Sequence, residues 1–128
     1  MILKSTKLRI TDNSGAKWAK CIKILGNRIK ATVGDMILIT LSCFTNRKKV
    51  KKRTIYFGLI VCTRYWVLRK NGFFFKFNNN KVLLISKQYK FLGTRIYGLL
   101  CKEVRLKINS HPEKKHLVKI LTYSSTFI

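Results

Sequence analysis

A mainly β fold, a small barrel or sandwich, is predicted by three observations. Short runs rich in β-branched and aromatic residues recur along the chain, Asp/Asn/Gly turn signals separate them, and one Asn-Gly dipeptide lies between two such runs. The 128 residues fit a single domain spanning 1–128. A unit of about 100–150 residues usually has one core, and no Pro/Gly/Ser-rich linker divides this chain.

Taken in order, residues 18–25 (WAKCIKIL) mix apolar positions with Lys20 and Lys23 and read as a strand. Residues 36–41 (MILITL) and 55–61 (IYFGLIV) have ordinary strand length and composition. Between them, Asp12-Asn13-Ser14-Gly15 and Val33-Gly34-Asp35 read as tight turns, since Asp and Asn bond back to the local backbone and Gly admits positive φ. Asn71-Gly72 predicts a type I′ turn, which needs positive φ at both central positions, pairing 65–70 with 73–77 as a hairpin. Residues 99–108 (LLCKEVRLKI) predict a short amphipathic helix: Leu100, Val104 and Ile108 recur every fourth residue, and Glu103 stands four before Lys107. Residues 117–123 are too short to separate strand from helical turn, and 109–115, polar with the only proline, read as a loop.

Charge points to function. Twenty-eight Lys and Arg face four carboxylates, Asp12, Asp35, Glu103 and Glu113, giving +24 on a chain that is 47% hydrophobic. Such a chain repels itself when compact, so a folded domain of this kind is expected to sit against a polyanion. Arg47, Lys48, Lys49, Lys51, Lys52 and Arg53 crowd around Val50 where a loop should join two strands. A solvated loop is one reading, but so dense a run of unpaired charge favours phosphate contact. In the hairpin, Arg64, Arg69, Lys70 and Lys76 interleave with Tyr65, Trp66, Phe73, Phe74 and Phe75. Cations for phosphates and flat rings for bases would make an RNA-binding arm; rings packed inward as core would make an ordinary half-buried hairpin, the commoner fate of strand aromatics.

Other classes find less support. The longest uncharged stretches, 36–46 and 54–63, fall short of the roughly 20 residues of a membrane-crossing helix, so no membrane partner is expected. The N-terminus lacks the apolar run of a secretory signal, and structured-looking sequence begins too early to leave room for a transit peptide. Cys21, Cys62 and Cys101 lie in apolar runs and read as small buried hydrophobes of a reducing compartment. Zinc would recruit His111 and His116, yet no paired cysteines complete the set, and neither metal nor cofactor is expected. An enzyme is not expected either: a basic nuclease would have to place its two histidines in the least ordered stretch.

Five segments carry a resemblance. Thr11-Asp12-Asn13-Ser14-Gly15-Ala16, Cys21-Ile22-Lys23-Ile24-Leu25-Gly26, Val33-Gly34-Asp35, Lys49-Val50-Lys51-Lys52 and Gly93-Thr94-Arg95-Ile96-Tyr97-Gly98 occur in the order and near spacing of the large-subunit ribosomal protein fourteen family. The resemblance spans residues 1 to about 123. It implies a small five-stranded β-barrel with a projecting hairpin and short helices over 99–123. It also implies a structural role in the large ribosomal subunit, with contacts to large-subunit rRNA, to ribosomal proteins three and nineteen, to small-subunit rRNA in an intersubunit bridge, and to a ribosome-silencing factor. Carried over by position, Lys17, Lys20, Lys23 and the 49–52 loop would touch rRNA; the charge run and the hairpin pattern add Arg47, Lys48, Lys49, Lys51, Lys52 and Arg53 of the loop and Arg64, Arg69 and Lys70 of the hairpin as expected rRNA contacts. Thr94, Arg95, Lys102 and Arg105 would face neighbouring subunit components.

Departures from the pattern include Arg53-Thr54 where the family usually has Gly-Asp, and Leu99 where proline is common. Together with 20 Lys against 8 Arg and abundant Asn, Ile and Phe, as an AT-rich coding genome favours, they suit a mitochondrial ribosome, a plastid or bacterial one being the alternative. The competing functional reading is a free single-stranded nucleic-acid-binding protein of OB-like fold that uses the hairpin as a stacking platform.

Overall fold

The computed structural model describes residues 1–45, 49–51, 53–110, 116–124 and 126–128. In chain order the elements are β1 (Lys7–Ile10), β2 (Ala16–Ile24), β3 (Met36–Phe44), β4 (Ile55–Cys62), β5 (Val67–Leu68), β6 (Phe74–Phe75), β7 (Lys81–Ile85), α1 (Lys102–Ser110) and α2 (Val118–Tyr123). Strands β1-β2-β3-β4-β7 close into a five-stranded barrel, and β5-β6 form a separate two-stranded hairpin. All barrel pairings are antiparallel except the seam, where β1 runs parallel to β7 through Arg9↔Lys81 and Ile10↔Val82. The barrel, hairpin and C-terminal helices expected from the resemblance are all present.

Two cores account for the apolar content. The barrel interior holds Leu8, Ile10, Ala19, Cys21, Ile37, Ile39, Ile60 and Leu84. A second core lies under the helices: Val104 and Ile108 of α1 and Ile120 of α2 join Leu59, Val61, Leu83 and Ile85. Alternate residues of β4 and β7 thus serve different cores, so both strands are buried on both faces. At Gly58 of β4 an added Cβ would lie 2.7 Å from Val82 Cγ2 and 3.1 Å from Ile39 Cδ1, inside the barrel. Gly58→Ala should therefore cost about 1–3 kcal/mol through overpacking, read as a lower urea midpoint at unchanged m-value.

Several local expectations are corrected. The hairpin turn is not type I′. Arg69 N donates to Phe73 O and Gly72 N to Arg69 O, so three residues, 70–72, form the loop, and of the Asn-Gly pair Gly72 alone takes positive φ, at 82°. This is the longer hairpin loop in which a left-handed glycine follows an ordinary turn. Leu100 precedes the helix and bridges to Phe127. The Glu103–Lys107 pair does not form: Arg69 Nε holds Glu103 at 2.9 Å, and Lys107 Nζ reaches Asp35 at 3.0 Å. Residues 118–123 are helical, and Asn109 and Ser110, expected in a loop, complete α1. Of the five hairpin rings expected to pack inward, four are exposed and Phe75 alone is half-buried.

Candidate nucleic-acid interface

The helices cover the outer face of β4 and β7 and reach Met36 of β3, whereas no described helix covers the outer side of Lys7, Arg9, Lys17, Lys20 and Lys23, and cations collect there. In register, Lys7 of β1 stands opposite Lys20 of β2, which stands opposite Thr40 of β3. The next row runs Lys81, Arg9, Trp18, Cys43. Lys7, Arg9, Lys17, Lys20 and Lys23 are exposed, and Lys7 Nζ lies 4.6 Å from the centre of the half-buried Trp18 ring. Directly opposed like charges in a sheet destabilise it. Among the described residues no ion pair relieves Lys7, Arg9, Lys20 or Lys81.

The described carboxylates, Asp12, Asp35 and Glu103, are engaged elsewhere. Asp12, 6% exposed, accepts from Leu84 N at 2.9 Å and from Ser14 N at 2.9 Å, with the Ser14 hydroxyl as a third donor. Burial pushes its carboxyl up, only partly countered by those bonds. Asp35 accepts from Thr32 N at 2.8 Å and from Lys107 Nζ, with Arg28 at 3.7 Å. Burial pushes the Asp35 carboxyl up, but the Thr32 amide and the Lys107 ammonium outweigh it and hold it below the usual carboxylate range. The contact depends on Gly34, where φ is +83° and a Cβ would meet Lys107 Cδ at 2.7 Å. Glu103 is also held low: burial raises it, and Arg69 and the Cys101 thiol more than reverse this.

A carboxyl whose folded pKa is depressed, as at Asp35 and Glu103, contributes stability that is present above its unfolded value, near 4, and is lost as pH falls through the folded value. Stability should drop below about pH 4, and Asp35→Asn should flatten that drop while costing about 1–2 kcal/mol at pH 7. Urea titrations of both chains between pH 2.5 and 7 measure this.

Between β3 and β4 the described residues Val50 and Lys51 are anchored to the barrel. Val50, 5% exposed, enters the barrel core, and Lys51 N donates to the Tyr56 hydroxyl at 2.9 Å, leaving Lys49, Lys51 and Arg53 exposed. Arg53 takes φ 58°, the left-handed backbone suited to the glycine usual at that place. Arg47, Lys48 and Lys52 lie outside the described residues, as do His111 and Glu113.

Thr94 and Arg95 are exposed, on a segment held by Asn13. Asn13 Oδ1 accepts from Thr94 N at 2.8 Å and Arg95 N at 3.1 Å, and Nδ2 donates to Thr94 Oγ1 at 2.7 Å. Gly93 fits beneath because a Cβ would meet Phe91 Cζ at 2.8 Å. The same turn carries Gly15, whose carbonyl accepts from Thr45 N and Oγ1 at the start of the cationic loop. One turn, residues 12–15, therefore secures both the Arg95 segment and the start of the 45–54 connection.

Not all candidates fall together. Arg64 and Lys70 are exposed on the hairpin, whereas Arg69 is bound within the chain by Glu103 and by the Ile128 carbonyl. Lys102 and Arg105 are exposed on α1. Lys7, Arg9 and Lys81 are the members of this surface that sequence reasoning misses; the alternation of KLRI in β1, with Lys7 and Arg9 on one face, is the available signal. Cys21, Cys62 and Cys101 are buried as expected, while Cys43 is exposed. Burial, the largest influence on both, raises the Cys62 thiol to about 11 and that of Cys101 to about 12, so both stay protonated at neutral pH.

The motif positions share one structural role: the 12–15 turn, the Val33-Gly34-Asp35 turn, the Val50 loop and the 93–98 segment all brace a five-stranded barrel with one cationic face. A family model described as ribosomal protein L14p/L23e matches residues 1–125, so the chain belongs to that family and is a structural component of the large ribosomal subunit.

Proposed function

We propose that the chain binds large-subunit rRNA through the outer face of β1–β3 together with the Lys49–Arg53 loop, and meets the small subunit through Thr94 and Arg95. The observation that carries this reading is the Lys7↔Lys20 pairing beside Arg9 and Lys81, a like-charge cluster that no carboxylate among the described residues pairs with, and which phosphate would neutralise. Lys17 and Lys23 extend the same surface, and by position Arg47, Lys48 and Lys52 add to the loop. Arg95 has a planar fork able to grip two phosphate oxygens, presented on a segment that Asn13 holds in place.

The resemblance supports a finer reading. Small-subunit rRNA at a bridge, ribosomal proteins three and nineteen and a ribosome-silencing factor would meet the surface of Thr94, Arg95, Lys102 and Arg105. The lysine-rich composition supports a mitochondrial ribosome. Arg95→Ala is expected to leave large subunits assembled at wild-type level while weakening subunit joining about tenfold, as removal of a charged hydrogen bond worth about 1.4 kcal/mol would. Sucrose-gradient ratios of joined to free subunits measure this; misassembled large subunits would count against the interface role.

A further inference from the structure

The hairpin presents an apolar face that neither core covers. Strand alternation puts Val67 and Phe75 inward, where they pack on the core under the helices. Trp66, Leu68, Phe74 and Lys76 therefore point outward, and Trp66, Leu68 and Phe74 are 52%, 61% and 62% exposed. Beside β5, a largely apolar pocket of about 340 Å³ is lined in part by Val33, Thr63, Trp66, Val67 and Leu68. Two-stranded hairpins are marginal in water and contiguous exposed apolar side chains mark interfaces, so a face of this kind calls for a cover.

We propose that this face docks a protein segment that inserts an apolar side chain into the pocket and flanks it with carboxylates. Two observations favour protein over RNA. Leu68, between the rings, offers no π-face for a base, and Lys76 Nζ already sits 4.7 Å from the centre of the Trp66 ring, where a base would stack. The rim decides the partner's charge: Lys70 and Lys76 are exposed, and Glu103, the acid nearest in the pocket wall, is held by Arg69. An aromatic and aliphatic centre inside a cationic rim is the complement of an apolar segment with acidic flanks.

The test uses the full chain in its large subunit. A benzophenone amino acid at position 74 should crosslink to one protein, at a peptide holding apolar residues beside Asp or Glu. Lys70→Glu with Lys76→Glu should lower that yield at least fivefold. Trp66→Ser with Phe74→Ser, both outside the cores, should keep the chain in the subunit yet deplete the crosslinked protein about tenfold by quantitative mass spectrometry. Crosslinks to rRNA alone, absence of any crosslink, insensitivity to the charge reversal, or an unchanged protein complement would each overturn the proposal. The chain's presence in the subunit, scored in the same gradients, tests the rRNA-binding reading separately.

Discussion

Replacing Asp12 by alanine is expected to cost about 3 kcal/mol of folding free energy, because three buried donors lose their acceptor at once. The location makes this severe. The β1–β7 seam closes the barrel through only two register pairs, Arg9↔Lys81 and Ile10↔Val82, followed by Thr11 N to Val82 O at 3.3 Å. Past that point the backbone of β1 turns away, and the Asp12 carboxylate takes over by accepting from Leu84 N. Its other oxygen holds both donors of Ser14 and so fixes the 12–15 turn. Asparagine is no remedy, since turning its oxygen to Ser14 sets its NH₂ against the Leu84 amide. Urea unfolding at pH 7 measures the cost, and a loss below about 1 kcal/mol would show that water replaces the carboxylate cheaply. The pH dependence adds a second reading. Because burial raises the Asp12 carboxyl, the folded chain takes up that proton more readily than the unfolded one, and acidification through the raised value toward about pH 4 should stabilise the wild-type chain. Asp12→Asn removes that rise and leaves the opposite trend of Asp35 and Glu103.

What the sequence disclosed depends on whether the signal was local. β2, β3 and β4 were legible because each is a long enough run of strand-forming residues between turn signals, and α1 because Val104 and Ile108 mark a helical stripe. β1 and β7 were named by no residue-level signal. KLRI is only four residues, and KVLLI lacks alternation because its side chains feed two cores in turn. The cationic face suffered accordingly: Lys20 and Lys23 were visible on β2, but Lys7, Arg9 and Lys81 join them only through the register of β1 against β2 and β7. Glu103 and Lys107 show the same limit from the other side. Their helical spacing was right, yet each found a better partner outside the helix, in Arg69 and Asp35. The hairpin rings misled for a related reason, since strand composition cannot tell whether a second sheet or helix exists to cover them.

The placement of the acids makes the remaining charge directional. Asp12, Asp35 and Glu103 are all engaged by groups of the chain itself, so they hold turns and one helix in place and, among the described residues, leave the cations of β1, β2 and β7 without an ion pair. Repulsion between Lys7 and Lys20 works against the isolated barrel, whereas against a phosphate backbone the same pair becomes favourable.

Neutralising Lys7, Arg9 and Lys20 together should therefore separate folding from binding. The triple alanine variant is expected to match or exceed wild-type stability by about 0.5 kcal/mol, because a like-charge pair is relieved and the exposed side chains support no core. Its affinity for large-subunit rRNA should fall about a hundredfold to a thousandfold at roughly 0.1 M salt, and the slope of log affinity against log salt should shrink by about 3, one unit for each phosphate that is no longer neutralised. The control is the variant with Lys102, Arg105 and Lys119 changed to alanine. These are exposed on the helices that cover β4 and β7, and their replacement removes the same +3 from the net charge of +24. If binding were a response to net charge alone, both variants would weaken equally. A defined face predicts a loss of affinity at least tenfold larger for the strand residues, since charges away from the phosphates act only through a field that salt screens within about 10 Å. Filter binding across a salt series, with unfolding curves for both variants, distinguishes the two.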